Sequence, residues 1–502
     1  MDHGRLLDGP EHMIARPGNW ARTLCAAAIL GGALLGPQAP VANAAVSRPN
    51  PDLSHLGEAQ GLAGKPAPPV PTQKNAVCVE QSLKGDAPRD EPVAQKVLDL
   101  PAVWRANPGP NRKGAGQKVA VIDTGVNRHP RLANLQGGGD YVADGDGTSE
   151  DCDGHGTLVA GIIGAQPGPD DAFVGVAPDA EILSIRQLSD AYKAKDSAGG
   201  DTPGSMSKSG YGNMQTLAAA VVRAVNMGAT VINISEDACT AAGGDTADAV
   251  LGDAVRFAFE QNVVVVVAAG NVDQNSGCGT QNDTYTDSRT SWSKVKTIAS
   301  PAWFDKYVLP VASIDPNGSP SSFSLYGPWV GVAAIGTNIV SLDNKPGGTG
   351  LVNATGLDSG QKALNGTSFA APYVAGLAAL VRAKNPDWTA RQVMNQIMLT
   401  AHQPGTGRDD RIGAGLIDPV AALTTVFPAD VLTAETPELP IHADADKSHA
   451  FPKPVQPAGP PRLPRLVATV GTIVCLSALG IGLAVSIPFR RRRTDDELPD
   501  LD

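Results

Sequence analysis

The clearest periodic signal lies in the middle of the chain. Residues 214–226 place Leu217, Val221, Val222 and Val225 on one face at helical spacing, and the run stops at Gly228 before an apolar strand over 230–234. The pattern then repeats, predicting a helix over 247–260 and a β-branched strand over 263–268. Upstream, residues 118–122 and 181–185 are short continuous apolar runs, as expected of strands covered on both faces. Strands alternating with helices predict an α/β domain over residues 101–426, a mostly parallel sheet covered by helices on both faces. In such sheets functional groups collect beyond the carboxyl ends of the strands. The polar, Gly/Ser-rich stretches 187–213 and 272–297 have the length of functional or disordered loops.

Outside that domain the pattern changes. Residues 45–100 are Pro-rich and lack apolar periodicity, which predicts an arm packed on the main domain. Residues 427–465, from Pro428 to Pro464, have the composition of a semi-extended Pro-rich linker. Residues 466–487 form an uncharged apolar stretch of 22 residues, long enough to cross a bilayer core of ~30 Å as a transmembrane helix. Arg490 to Arg493 follow at once, so 488–502 is expected to be a cytoplasmic tail. At the other end, Arg16 and Arg22 precede an apolar run over 24–35, then Pro37 and Ala42-Asn43-Ala44. Residues 1–44 therefore read as a signal peptide cut after Ala44. The run is short for the alternative, an N-terminal membrane anchor. Both ends agree on a single-pass type I protein of the cell membrane, its main domain extracytoplasmic.

Composition narrows the class. With 42% hydrophobic residues the chain can bury a large core, and aromatics at 4% suit an aliphatic parallel sheet. A net charge of −11 argues against a nucleic-acid partner. Of the six cysteines, Cys25 falls in the signal peptide and Cys475 in the expected span. Cys78, Cys152, Cys239 and Cys278 remain, which predicts two disulfides in an oxidising compartment. No C-x-x-C pair favours zinc, the acidic stretch 144–153 lacks the spacing of a cation loop, and no cofactor or metal is expected. Cys239 and Cys278 each follow one of two consecutive parallel strands, whose loops leave the same sheet edge. That predicts Cys239–Cys278, and leaves Cys78–Cys152 to pin the arm three residues from His155.

Four polar residues stand where chemistry is expected. Asp123 ends the first strand, in Val119-Ala-Val-Ile-Asp-Thr-Gly125. His155 lies between glycines, in Asp151-Cys-Asp-Gly-His-Gly-Thr157. Asn271 closes the apolar run that begins at Val263, in Ala268-Ala-Gly-Asn271. Ser368 opens a small-residue helix, in Asn365-Gly-Thr-Ser-Phe-Ala-Ala-Pro372. Singly, each is an ordinary cap or turn residue. The Asp-Thr-Gly triplet with Asp358-Ser-Gly360 could also suggest an aspartic protease, but no strand leads into Asp358, and alternating α/β elements do not suit that all-β class.

Taken together, Asp, His and Ser in that order, with an amide between the last two, follow the subtilisin order. Residues 119–380 closely resemble the subtilisin-like serine proteases, the subtilases. The resemblance implies Ser368 as nucleophile, His155 as general base and acid, Asp123 as its orienting carboxylate, and Asn271 with the Ser368 N–H as oxyanion hole. Signal peptide, arm, protease domain, Pro-rich linker, single span and basic tail together resemble the mycosins, membrane-anchored subtilases of type VII secretion systems. That likeness implies a protein substrate, a secretion membrane complex as partner, and an arm that wraps the domain without inhibiting it. One departure stands out. Subtilases follow the strand ending at Ser235 with Leu or Trp and glycines; here Glu236 and Asp237 follow. With Ser235 they are expected to line the substrate track and narrow its specificity, or else to face solvent. The function expected is a narrow-specificity endopeptidase cutting a secreted or envelope protein, with a structural role in the secretion complex as the alternative. An unperturbed His155 predicts kcat/KM rising through roughly pH 6–7.5.

Overall fold

The computed structural model describes residues 45–109, 112–195, 205–206, 210–273, 278–285, 288–356, 360–405, 407–435 and 462–492. The expected signal peptide, Asp358 and the middle of the expected linker lie outside these residues.

Seven parallel strands form the central sheet: β1 (Lys118–Asp123), β2 (Leu135–Asp140), β3 (Glu181–Arg186), β4 (Val231–Ile234), β5 (Val264–Ala268), β6 (Leu309–Ile314) and β7 (Val332–Ile335). Their order is β7-β6-β5-β4-β1-β3-β2. Every residue of β4 to β7 is buried, which accounts for their small and apolar composition, with Asn233 and Ser313 as the polar exceptions. The predicted neighbours β4 and β5 pair directly, Ile232 opposite Val265.

Five longer helices pack around the sheet: α1 (His155–Gly164), α2 (Met214–Asn226), α3 (Ala249–Glu260), α4 (Thr367–Lys384) and α5 (Ala390–Thr400). Asn213 caps α2 in a reciprocal box with Thr216, and Gly228 at φ +78° releases the chain toward β4. Helices α2 and α3 pack on each other, as do α1 and α4.

The arm adds elements that the sequence did not announce. Its helix Leu56–Ala63 lies on α2 and α3, with Ala59 and Ala63 buried. Asp253 of α3 fixes the lead-in by accepting from the backbone N–H groups of Leu53 (2.9 Å) and His55 (2.7 Å). Two short arm strands then pair antiparallel with loops of the domain: Thr72–Lys74 with Tyr192–Ala194, and Gln81–Ser82 with Ala354–Thr355.

At the other end the expected linker begins too early, at 427. Residues Ala429–Thr433 form a helical turn packed on α5, burying Leu432, and Asn395 donates to the carbonyls of Leu432 and Ala434, both at 2.8 Å. One apolar anchor and a buried amide thus keep the chain on the domain beyond 427. A second unit, Pro440–Asp502, contains the helix Arg462–Arg492. That helix includes the expected span, and its side chains are described over 470–485, all exposed. Among the described residues, no helix is long and apolar enough to cross a membrane.

Candidate active site

The carboxyl end of β1 and the amino end of α1 interlock. Asp123, the last residue of β1, is fully buried, and its Oδ1 lies 2.8 Å from His155 Nδ1, the first residue of α1. The same oxygen accepts from the Thr124 N–H at 2.7 Å. The two segments touch so closely that a Cβ on Gly156 would fall 2.0 Å from the Gly125 carbonyl oxygen. Glycine at 156 is therefore required by close approach.

Asp151 holds the loop that carries His155, a role sequence reasoning missed. It is buried, and its carboxylate accepts from Thr124 Oγ1 (2.7 Å), the Gly154 N–H (2.8 Å), the Thr157 N–H (2.8 Å) and Thr157 Oγ1 (2.6 Å). Burial pushes its pKa up, to about 6, against these hydrogen bonds. The usable signal was an acid just ahead of a helix start, but its tie to Thr124 runs between separate segments.

Ser368 is the second residue of α4. A Cβ on Gly366 would lie 2.7 Å from Ser368 Oγ, so the glycine leaves the hydroxyl accessible. The next residue, Phe369, holds its ring 5.2 Å from the His155 ring, which brings the α4 start against the imidazole. Asn271 lies just past β5, and its Oδ1 accepts from Thr367 N–H (2.9 Å) and Oγ1 (3.1 Å). That anchor commits the oxygen and turns the amide nitrogen to the role of donor.

The Ser235-Glu236-Asp237 segment divides. The Ser235 hydroxyl is buried, donating to the Ser368 carbonyl at 2.7 Å and accepting from Asn233 at 2.9 Å, so its side chain braces the α4 start. Glu236 Oε1 approaches His155 Nδ1 to 3.1 Å, on the same nitrogen that Asp123 meets, with the two side chains 24% and 21% exposed. Burial works to lower the His155 pKa, but the Asp123 and Glu236 carboxylates prevail and push it up to about 10. Burial raises Glu236 as well, against the pull of His155. The ordinary histidine titration expected from sequence is thus displaced upward.

The cysteines pair as Cys78–Cys152 and Cys239–Cys278, with Cα–Cα separations of 4.5 and 5.0 Å. Among the described residues, four groups of side chains come within metal-ligand distance. Two consist of these sulfurs plus Glu150 or Asp237, and bonded sulfurs are not thiolate ligands; the others are Asp52, His55 and Asp253, and Asp123, His155 and Glu236.

A buried Asp–His pair at the end of a parallel strand, a serine at the start of a buried helix and an anchored amide define a hydrolase site. The chain belongs to the subtilase family, whose pattern matches residues 114–415, and is a serine endopeptidase. Its relatives are more specific. It is 43% identical to Mycosin-4 of Mycobacterium tuberculosis over 457 residues, 90% of this chain and 93% of that one. The structure of MycP3 protease from the type VII (ESX-3) secretion system matches 76% of this chain and 100% of its own, at 43% identity and a TM-score of 0.67. A chain of the intact ESX-5 inner membrane complex matches 88% of this one and 100% of its own, at 38% identity and a TM-score of 0.70. Within the subtilases, these likenesses place the chain with the mycosins.

Proposed function

We propose that this protein is a membrane-anchored endopeptidase of narrow specificity, acting in a type VII secretion system on the extracytoplasmic side. The contact of His155 Nδ1 with Asp123 supports the catalytic assignment, because it leaves Nε2 as the nitrogen for the nucleophile. Ser368 Oγ attacks the scissile carbonyl, and its proton passes to His155. The tetrahedral oxyanion accepts from Asn271 Nδ2 and the Ser368 N–H. Collapse of the intermediate expels the amine, protonated by His155, and water then hydrolyses the acyl-enzyme by the same route. Asp123 holds the ring and stabilises the imidazolium. Glu236 and Asp237 line the track beside Ser235 and restrict what enters it.

A fluorophosphonate probe should label the full chain in detergent at Ser368. Labelling that survives Ser368→Ala would remove the assignment.

Residues 466–487 serve as the span, with 490–493 on the cytoplasmic side, and the protein should stay with membranes through a high-salt wash. Release by salt alone would remove the anchor. A second reading, structural support of the secretion complex, is favoured by the matching chain inside an ESX-5 inner membrane complex. Secretion and complex assembly measured with Ser368→Ala and with deletion of 466–502 separate the two. Loss in both variants makes proteolysis essential, and loss in the deletion alone makes presence the function.

A further inference from the structure

The arm reaches the catalytic cleft. Its residue Gln81, together with His155, Leu158, Leu364, Asn365 and Phe369 among others, lines a cavity of about 150 Å³. That size accepts one side chain, not a peptide segment. Leu158, Leu364 and Phe369 make its apolar walls, and no lysine or arginine lines it. The Asp153 carboxylate at its edge is already engaged by the Ser189 hydroxyl (2.5 Å) and the Asp190 N–H (3.0 Å).

Gln81 is different. It is 2% exposed, and its Nε2 makes a long contact of 3.5 Å with the Asp153 carbonyl. Oε1 is left buried with no partner. Such an orphaned acceptor is unfavourable unless something else supplies a donor. The surroundings hold it there. Gln81 is paired in a strand with Thr355, and Cys78 is bonded to Cys152 three residues upstream. Gly154 makes room, since a Cβ there would lie 2.3 Å from Gln81 Nε2.

The position relative to His155 tells which part of a substrate would meet it. His155 protonates the leaving amine, so the leaving peptide emerges on its side of Ser368. The cavity borders His155 and Phe369, and shares no lining residue with the Ser235-Glu236-Asp237 edge or with Asn271. We propose that Gln81, an arm residue, completes a leaving-side subsite that selects an uncharged side chain ending in a hydrogen-bond donor: Ser, Thr, Asn or Gln. The subsite rests on the protease assignment above, and it makes the arm a part of the substrate-recognition surface.

The test uses the full chain in detergent with a peptide library randomised around the scissile bond, and sequences the new N-termini. One leaving-side position should favour Thr over its isostere Val by about tenfold, the effect of a single neutral hydrogen bond. Gln81→Met keeps the length and apolar bulk but lacks the acceptor, and should erase that ratio. Thermal melting of the variant, with disulfide mapping, verifies that it folds. Cleavage with no donor preference at any leaving-side position, or a Thr/Val ratio unchanged in Gln81→Met, overturns the subsite. Fluorophosphonate labelling run in parallel separates this from failure of the protease assignment, in which Ser368 would not label at all.

Discussion

Two groups of carboxylates flank His155, and they are treated oppositely. On the α1 side, Asp151 accepts four hydrogen bonds, from Thr124 Oγ1, Gly154 N–H, and the N–H and hydroxyl of Thr157. On the β4 side, Glu236 has His155 as its ion partner, and Asp237 Oδ2 faces the sulfurs of Cys239 (3.5 Å) and Cys278 (3.4 Å), which carry no proton once bonded. Burial raises the pKa of all three, to about 6 for Asp151, about 8 for Glu236 and about 7 for Asp237. Donors make the difference. A satisfied buried carboxylate fixes architecture, whereas one with few or no donors among the described residues remains electrostatically responsive, which suits the substrate-track role proposed for Glu236 and Asp237. Each side also carries one disulfide, so each can be tested by loosening it.

The largest effect is expected from the arm disulfide. Cys78–Cys152 closes 74 residues of sequence separation, and in the chain-entropy model removing it with the paired Ser variants should destabilise the fold by roughly 4 kcal/mol. Guanidinium unfolding measures this. Because Cys152 adjoins Asp151, the proposed phosphonate labelling of Ser368 should slow too, and an unchanged rate would show that Asp151 holds the catalytic loop without help from the arm.

Asp151→Asn comes next. The amide retains one accepting oxygen but turns its nitrogen toward N–H or O–H donors, so a loss of about 2–3 kcal/mol is expected by unfolding, with a parallel fall in turnover. Equal stability would erase the contrast drawn between the two sides.

Glu236→Gln should leave stability nearly untouched and move the pH profile. In the proposed mechanism His155 must be neutral to accept the Ser368 proton. The Glu236 charge favours its protonated form, so the acidic limb of kcat/KM should lie above the range expected for an unperturbed histidine. Removing that charge should shift the limb toward lower pH by about one unit, the lower end of the usual effect of an adjacent opposite charge, because both groups are partly exposed. A limb that stays in place would show that the Glu236 charge does not act on the ring, leaving Asp123 and Asp151 to do so.

What the sequence revealed and what it hid follow from range. Helix α2 was legible to the residue because its apolar spacing and its Gly228 stop are both local. The Cys239–Cys278 bridge was legible because β4 and β5 are consecutive and pair directly. Strand β2 was hidden by its Gly137-Gly138-Gly139 core, which shows no alternation, and β6 by Pro310, a residue that argues against a central strand. The arm strands are two or three residues long and owe their existence to partners more than 100 residues away in the chain, so no window could show them. At the site, the segments bearing Asp123, His155, Asn271 and Ser368 were legible as motifs. The approach of Glu236 to His155 was not, because it depends on β4 lying beside β1.

The smallest expected effect is also the most selective. Asp237 has its carboxyl raised by burial from 3.8 to about 7. A carboxyl with a raised folded-state pKa contributes stability that is complete below its unfolded pKa, and that contribution is lost as pH rises through the folded value. Between pH 4 and pH 8, therefore, ionising Asp237 beside the Cys239–Cys278 bridge should weaken the native state. Asp237→Asn removes the ionisation while keeping shape. The variant should melt with the parent at pH 4 and above it at pH 8, by roughly a degree or two, since the group is partly exposed and screened. Asp151→Asn, which gives up hydrogen bonds at either pH, should melt below the parent at both, its deficit narrowing toward pH 8 because burial raises this carboxyl as well. If Asp151→Asn melted with the parent at pH 4, as Asp237→Asn should, burial alone would govern these carboxylates, and the donors around Asp151 would not distinguish the two sides of His155.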